Sequence, residues 1–220
     1  MQNKEPSGVL IINKHAGVTS HDIVNKIRRL YSTSRVGHTG TLDPMATGVL
    51  VVLVGRAAKA AEYLLCESKK YVAELRLGIT TDTEDITGTV LTKDEALPCK
   101  EEFFRACESF VGEIQQVPPM YSALKLNGQK LVDLARQGIE VERQPRQITV
   151  FSLKPTVIDE KEGLYRIEAH CSKGTYIRAL CSDIGRKLGC GAVMTELMRT
   201  ESGGFSIENS HTIQELEQMS

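Results

Sequence analysis

The feature that most constrains this chain is the segment at residues 37–50, which reads Gly-His-Thr-Gly-Thr-Leu-Asp-Pro-Met-Ala-Thr-Gly-Val-Leu. Its three glycines permit close backbone approach or positive φ, and Pro44 fixes the backbone directly after Asp43. An unbroken apolar run at 49–54 follows and suits a central strand. The segment therefore predicts a firmly held loop that presents a single acid. Spacing alone leaves open whether Asp43 only forms a turn or takes part in catalysis.

Hydrophobic periodicity on both sides of this loop predicts an α+β fold. Apolar residues recur at helical spacing over 20–31, and the outer face of that helix carries Lys26, Arg28 and Arg29. Helices are predicted at 20–31, 57–66, 101–111, near 131–135 and at 177–188, and strands at 8–12, 49–54, 71–79, 147–154 and 164–171. Because the order shows no regular βαβ alternation, the sheet is predicted to be largely antiparallel.

Composition narrows the function mainly by exclusion. No apolar stretch approaches the roughly 20 residues that span a bilayer, and the polar N-terminus lacks a signal-peptide core, so we expect a cytoplasmic protein without a membrane partner. The six cysteines form no C-x-x-C pair, which favours reduced thiols over disulfides or a metal site.

The formal charge is −1, but residues 201–220 contain four acids and no Lys or Arg. The remainder is mildly basic, which permits RNA binding without requiring it.

Further motifs follow in order along the chain: Lys-Tyr at 70–71, Thr-Asp-Thr at 81–83, Val-Pro-Pro at 117–119, and Ser-Lys-Gly-Thr-Tyr-Ile-Arg at 172–178. Together with the segment at 37–50 they closely resemble the TruB family of tRNA pseudouridine synthases. The resemblance implies the pseudouridine synthase catalytic fold, a mostly antiparallel mixed sheet flanked by helices with the active-site cleft across it. It also implies an isomerase that converts the T-loop uridine of tRNA to pseudouridine without cofactor or metal.

The resemblance also implies roles for particular residues. Asp43 would start the reaction, either by attacking ribose C1′ or by removing a ribose proton, with Arg178 as the opposing cation and Tyr71 stacked on the target base. The remaining implied substrate-binding residues are His38, Tyr176, Leu197, Lys14, Lys59 and Lys125. The target base would have to flip out of its stack, since its reacting atoms are inaccessible within it. From position alone Arg178 also fits a surface helix arginine and Tyr71 a core aromatic, so these roles depend on the resemblance.

Some positions depart from the family's pattern. Asn13, His15 and Met45 replace its usual Asp, Pro and Leu, and Val132 stands in place of a usual Tyr. Residues 1–204 are predicted to form the catalytic domain, and 205–220 a short acidic tail with no PUA-like domain. We expect a monomer that binds the T-arm stem-loop of tRNA and needs no protein partner.

Three other functions compete with this prediction. A non-catalytic RNA-binding or tRNA-folding module of the same fold would not need Asp43, Tyr71 and Arg178 together. A nucleoside or sugar hydrolase usually relies on two opposed carboxylates or a metal, and the sequence offers no convincing partner acid for Asp43. The guide-RNA-dependent branch of the superfamily has a different loop and needs protein partners.

Overall fold

The computed structural model describes residues 6–61 and 68–219, which group into two compact units. The first unit contains the described residues up to 72 and from 196 onward, and the second contains Ala73–Thr195. The strands are β1 (Gly8–Lys14), β2 (Val36–His38), β3 (Thr47–Val54), β4 (Lys69–Leu77), β5 (Ile79–Thr81), β6 (Val90–Lys93), β7 (Gly112–Gln116), β8 (Lys125–Leu126), β9 (Gln129–Lys130), β10 (Arg146–Asp159), β11 (Leu164–Cys171), β12 (Ala192–Ser202) and β13 (Phe205–Ser206). The chain thus enters the second unit within β4 and leaves it within β12.

Helices accompany these strands in both units. The α-helices are α1 (Ser20–Leu30), α2 (Lys100–Glu108), α3 (Leu131–Arg136), α4 (Ile177–Leu188) and α5 (Ile213–Gln218), and two 3₁₀ helices span Gly55–Ala60 and Ile207–Asn209. None of the helices in the described ranges is long and apolar enough to cross a membrane.

The first unit is built around β3, which is buried along nearly its whole length. β1 and β2 pair with β3 in antiparallel fashion, and β12 pairs with it in parallel at Thr47/Met198 and Gly48/Arg199. Helix α1 begins with a capping box between Thr19 and Asp22, which satisfies backbone N–H groups that have no partner within the helix. Its buried face contributes to the core at the start of the unit.

The acidic segment at 205–220 is folded over its described residues. β13 pairs with the end of β12, and His211 exchanges two backbone hydrogen bonds with β1, from Asn13 N–H and to Ile11 O, both 2.9 Å long. A capping box starts α5, whose Ile213 and Leu216 are buried. The segment therefore contributes apolar side chains to the first unit while its acids stay on the surface.

The second unit contains the antiparallel strands β7, β10 and β11, with β10 in the middle. Helix α2 packs against β10 and α4, and the rings of Phe103 and Tyr165 stack with centroids 4.1 Å apart. Gly189, at φ +83°, ends α4 in the left-handed conformation that glycine adopts most easily.

The predicted fold class is confirmed, because the structure is mixed α+β with a mostly antiparallel sheet flanked by helices. The strand predicted near 164–171 and the helix predicted by the apolar residues from 177 to 188 are confirmed as β11 and α4. The predicted helix 101–111 was too long, since a turn at Ser109 leads into Gly112 at φ +110°. Of the predicted helix 57–66, residues 57–60 are 3₁₀-helical, and residues 62–66 lie outside the described residues.

Gly48 gives the sharpest test of this packing. It has φ +95°, and an added Cβ would overlap the carbonyl oxygen of Arg199. We expect Gly48→Ala to lower the free energy of unfolding by at least about 2 kcal/mol, measured by urea denaturation. Gly37→Ala is the control, since a Cβ at Gly37 meets no atom within 4 Å. Equal effects of the two substitutions would contradict this account of Gly48.

Candidate active site

The loop that carries Asp43 joins β2 to β3 and is fixed to the start of α1. Ser20 is buried, and its Oγ donates to Leu42 O at 3.0 Å while accepting from Leu42 N–H at 2.8 Å. These reciprocal bonds hold both polar backbone groups of the residue before Asp43. The Asp43 side chain itself is half-buried, so it is partly open to solvent.

The residue after Asp43 is held by Lys14, which is completely buried at the end of β1. The Lys14 Nζ donates to the carbonyl oxygens of His15, Val18 and Pro44 at 3.0, 2.9 and 3.3 Å. Burial lowers the pKa of Lys14 from 10.5 to about 8, against an opposing effect of the Asp43 charge. Lys14 therefore both supports the loop and keeps a positive charge near Asp43 at neutral pH.

Arg199 on β12 holds the two ends of the loop together. Its guanidinium is buried and donates from Nε to Val49 O at 2.8 Å, from Nη2 to Gly40 O at 3.1 Å and from Nη1 to Thr41 O at 3.4 Å. The strand register places Lys14 and Arg199 on opposite sides of Gly48, at the start of β3. Two buried cations thus flank the strand that follows Asp43.

The other predicted site residues of the first unit differ in exposure. His38 is half-buried on β2, and its Nδ1 accepts from Gly40 N–H at 3.3 Å. Burial, together with the charges of Arg199 and His21, lowers the His38 pKa, so this imidazole is neutral at pH 7. Tyr71 on β4 and Leu197 on β12 are buried, whereas Lys59 is exposed on its 3₁₀ helix. His38 and Lys14 therefore share the immediate surroundings of the Asp43 loop.

In the second unit Arg178 is a buried residue of α4, although a helix position alone would also suit an exposed arginine. Its guanidinium donates to Thr83 O at 2.9 Å and to Tyr121 O at 2.8 Å, and Nη1 lies 3.4 Å from an Asp85 carboxylate oxygen. These contacts fix the direction of the guanidinium through residues that precede and follow β7. Lys125, on β8 of the same unit, is exposed.

Tyr176 is half-buried at the N-cap of α4, and Gln116 holds its backbone. The buried Gln116 amide donates from Nε2 to Tyr176 O at 3.0 Å, and its Oε1 accepts from Tyr176 N–H at 2.9 Å. The side chain therefore replaces the pair of bonds that a neighbouring strand would make. This contact fixes the start of the helix that also carries Arg178.

The sequence motifs give no sign of Arg199 or Gln116 as site residues. Gln116 stands two positions before the Pro-Pro dipeptide at 118–119, where it marks the end of β7. Arg199 is a charged residue inside a strand, and a charge that is buried there has to be fully hydrogen-bonded. A charged residue at a position that a strand would bury is the one local signal that could have identified Arg199.

Taken together, the first unit presents a carboxylate on a loop whose neighbouring backbone groups are all held by buried side chains. Such a carboxylate can act as a nucleophile or as a base toward a ligand. Because the loop already holds it in place, little further ordering is needed when a ligand binds. The neutral imidazole of His38 adds a flat, partly exposed ring on β2, the strand that leads into this loop.

Comparison with protein families places two matches end to end along the chain. Residues 28–177 match the family model described as "TruB family pseudouridylate synthase (N terminal domain)", and residues 178–220 match "tRNA pseudouridylate synthase B C-terminal domain". Curated relatives called tRNA pseudouridine synthase B include those of Alkaliphilus oremlandii, 49% identical, and of Clostridium kluyveri and Bacillus velezensis, each 50% identical. Each alignment covers 96% of this chain and 70–72% of the relative.

Solved structures give the same result for the fold. The chain is similar to one in "Crystal Structure of a Cbf5-Nop10-Gar1 Complex", with a TM-score of 0.72 at 32% identity, over 96% of this chain and 54% of that one. It is also similar to one in "Structure of H/ACA RNP bound to a substrate RNA containing 2'-deoxyuridine", with a TM-score of 0.70 at 29% identity, over 96% and 52%. The chain therefore spans about half the length of each of these solved chains.

The lowered pKa of Lys14 predicts a pH-dependent stability. The unfolded chain binds this proton more tightly than the folded one, so unfolding free energy rises as pH increases from about 8 to 10.5. Between pH 7 and 10.5 we expect the free energy of unfolding of the wild type to rise by on the order of 3 kcal/mol relative to that of Lys14→Met, measured by urea titration. As the control, the same difference in unfolding free energy is measured between the wild type and Lys161→Met. It should stay constant with pH, because Lys161 is exposed. A constant difference across this range for Lys14→Met would rule the explanation out.

The Gln116 contact predicts a cost of removing its amide. Gln116→Leu preserves the approximate volume but leaves Tyr176 N–H and O without these partners. We expect the free energy of unfolding to fall by roughly 2 kcal/mol, measured by thermal and urea denaturation. Gln115→Leu, at the exposed neighbouring position of β7, is the matched control and should change stability by less than about 0.5 kcal/mol.

Proposed function

Since the chain belongs to the TruB family of pseudouridylate synthases, we propose that it isomerises a T-loop uridine of tRNA to pseudouridine, with Asp43 as the residue that starts the reaction. The enzyme class is an isomerase, because the base leaves and returns to the same ribose. Relatives about 50% identical over 96% of the chain carry the name tRNA pseudouridine synthase B, which supports tRNA as the substrate.

The reaction requires few groups. The bond between ribose C1′ and uracil N1 breaks, the base turns, a bond forms between C1′ and C5, the C5 proton is lost to solvent and N1 takes up a proton. Atoms and electrons balance within the substrate, so one carboxylate that attacks C1′ or removes a ribose proton is enough to begin. A second opposed carboxylate of the kind used for glycoside hydrolysis is not required.

The observation that carries the assignment of Asp43 is the anchoring of both its neighbours. Leu42 is held through two bonds by Ser20, and Pro44 O accepts from Lys14 and from Gly17 N–H at 2.8 Å. A carboxylate held in this way can be presented in one direction while its own side chain remains partly open. Positioning of this kind lowers the reorganisation that the reaction requires.

The charge around the loop supports an ionised carboxylate. Lys14 and Arg199 donate to carbonyl oxygens of the backbone, which are uncharged, so their positive charges are not cancelled by these partners. A negatively charged Asp43 is therefore favoured in this part of the first unit. We propose that Arg178 in the second unit adds to this effect as the cation opposed to Asp43.

The remaining roles follow from the same proposal. Tyr71 is proposed to stack on the target base, with Tyr176 and Leu197 lining the uridine pocket and His38 beside the flipped nucleotide. A neutral imidazole suits this position, because stacking on a base requires a flat face rather than a charge. We further propose that the T-arm stem-loop suffices as substrate, and that the chain acts as a monomer without cofactor, metal or protein partner.

Tritium release from RNA labelled at uracil C5 tests the proposal. With a T-arm stem-loop as substrate, we expect release by the wild type and a loss of at least about 1,000-fold in Asp43→Asn, because the amide is neither nucleophile nor base. RNA affinity, measured by filter binding, should remain within a few-fold of the wild type. Asp159→Asn is the control for replacing an exposed aspartate and should keep full activity. Binding without release by the wild type would instead establish an RNA-binding module.

A further inference from the structure

Positive charge is concentrated in one part of the first unit. Between residues 23 and 61 the sequence contains six Lys or Arg residues and a single acid, Asp43, although the whole chain has a formal charge of −1. The six are Lys26, Arg28, Arg29, Arg35, Arg56 and Lys59. All of them except the half-buried Arg28 are exposed. This stretch of sequence, which lies between the acids Asp22 and Glu62, therefore carries an excess of positive charge.

Three of these cations, Arg35, Arg56 and Lys59, line one cleft with a volume of about 610 Å³. The other lining residues are Ser34, Val36, Gly37, Gly55 and Ala58. We refer to this cleft, defined by these eight residues, as the basic cleft. Among the residues that the structure describes, the lining contains no carboxylate and no aromatic ring, so it suits an anion and offers no platform for stacking a base.

The walls of the basic cleft are fixed to each other. Gly55 N–H donates to Arg35 O at 2.7 Å, and Val36 pairs with Val54 between β2 and β3. Arg28 from α1 donates to Val36 O at 3.3 Å. The cations therefore project from a scaffold that is already ordered, which reduces the entropy lost when a polyanion binds.

The basic cleft lies at one end of β3 and the Asp43 loop at the other, because the cleft residue Gly55 follows Val54 whereas the loop runs into Thr47. Gly37 lines the cleft, and the next residue on β2 is His38, one strand step of about 3.3 Å further along. The chain then runs directly into the loop that carries Asp43. An RNA strand that reached from the Asp43 loop to the cleft would therefore have to extend along the length of β3, roughly 23 Å.

We propose that the basic cleft binds the phosphodiester backbone of the substrate RNA at a distance from the flipped uridine, with Arg35 and Arg56 contacting phosphates alongside Lys59. The proposal rests on the proposed function and adds a surface through which the substrate is held. Arginine suits this task, because its planar fork donates two parallel hydrogen bonds to phosphate oxygens. Contacts of this kind are independent of base sequence and position the strand rather than select it.

Charge reversal in the full chain tests this proposal. The Kd for a T-arm stem-loop is measured by fluorescence anisotropy between 50 and 200 mM NaCl for Arg35→Glu and Arg56→Glu. We expect each Kd to rise by about ten-fold at 100 mM NaCl, and the slope of log Kd against log salt to fall by about 0.7–0.9 per lost phosphate contact. Arg56→Gln should give a smaller rise, about three-fold, and keeps the result interpretable if a glutamate disturbs folding.

The matched control is Lys161→Glu, which changes the net charge by the same amount at an exposed position of the second unit. Its Kd should stay within two-fold of the wild type. Tritium release at subsaturating RNA should fall in Arg56→Glu in proportion to the rise in Kd, because the contact holds the substrate and does not take part in bond breaking. Arginine variants that match the control in Kd and salt slope would overturn the proposal.

Two further outcomes distinguish this proposal from a small-anion site and from the proposed function. Inorganic phosphate is added to the RNA-binding assay as a competitor. If Arg56→Glu reduces the inhibition by phosphate while leaving the RNA Kd unchanged, the cleft is a small-anion site and the proposal is wrong. A wild type that binds RNA through the basic cleft but releases no tritium would refute the proposed function and leave the cleft assignment standing.

Discussion

The Asp43 loop depends on one buried guanidinium. An arginine out of water costs several kcal/mol unless its N–H groups find acceptors, and Arg199 finds them in the carbonyl oxygens of Gly40, Thr41 and Val49. These acceptors lie before and after Asp43, so the guanidinium can be satisfied only when the loop closes around it. The backbone of Arg199 packs against Gly48 at the same point. Strand pairing and loop conformation are thus two consequences of one residue's burial.

The same choice of acceptor recurs at Lys14, whose three bonds also go to carbonyl oxygens. A carboxylate partner would satisfy a buried cation equally well, but it would cancel the charge. In the second unit Arg178 lies beside Asp85 and is therefore partly compensated, whereas the carbonyl acceptors of Lys14 and Arg199 are uncharged. The charge of Lys14 therefore acts on Asp43 in the first unit. The repulsion between Lys14 and Arg199, which contributes to the lowered pKa of Lys14, is a cost of that arrangement.

Local periodicity was enough to predict α4 and β11, because each has an uninterrupted pattern. The Gly, Thr, Asp and Pro residues over 37–48 were enough to predict a loop, although its two ends belong to β2 and β3. Periodicity was not enough for β12, since a buried Arg199 breaks the alternation that identifies a strand. The burial of Lys14 is equally invisible in the sequence, because it depends on carbonyl groups brought to it by the fold. Helix α5 is a different case: Thr212 and Glu215 have capping-box spacing, and that signal was available in the sequence. The roles of the site residues could be predicted only from the family resemblance.

A net charge of −1 is a poor guide to the partners of such a chain. Charges on a protein surface are screened over about 8 Å at physiological ionic strength, so an acid beyond that distance does little to a phosphate in the basic cleft. What the phosphate experiences is the local set of Arg35, Arg56 and Lys59, which the fold brings together from two separate stretches of sequence. Averaging over the chain hides this set behind acids such as those of 205–220. For an RNA-modifying enzyme the informative quantity is therefore the charge within one screening length of each bound phosphate.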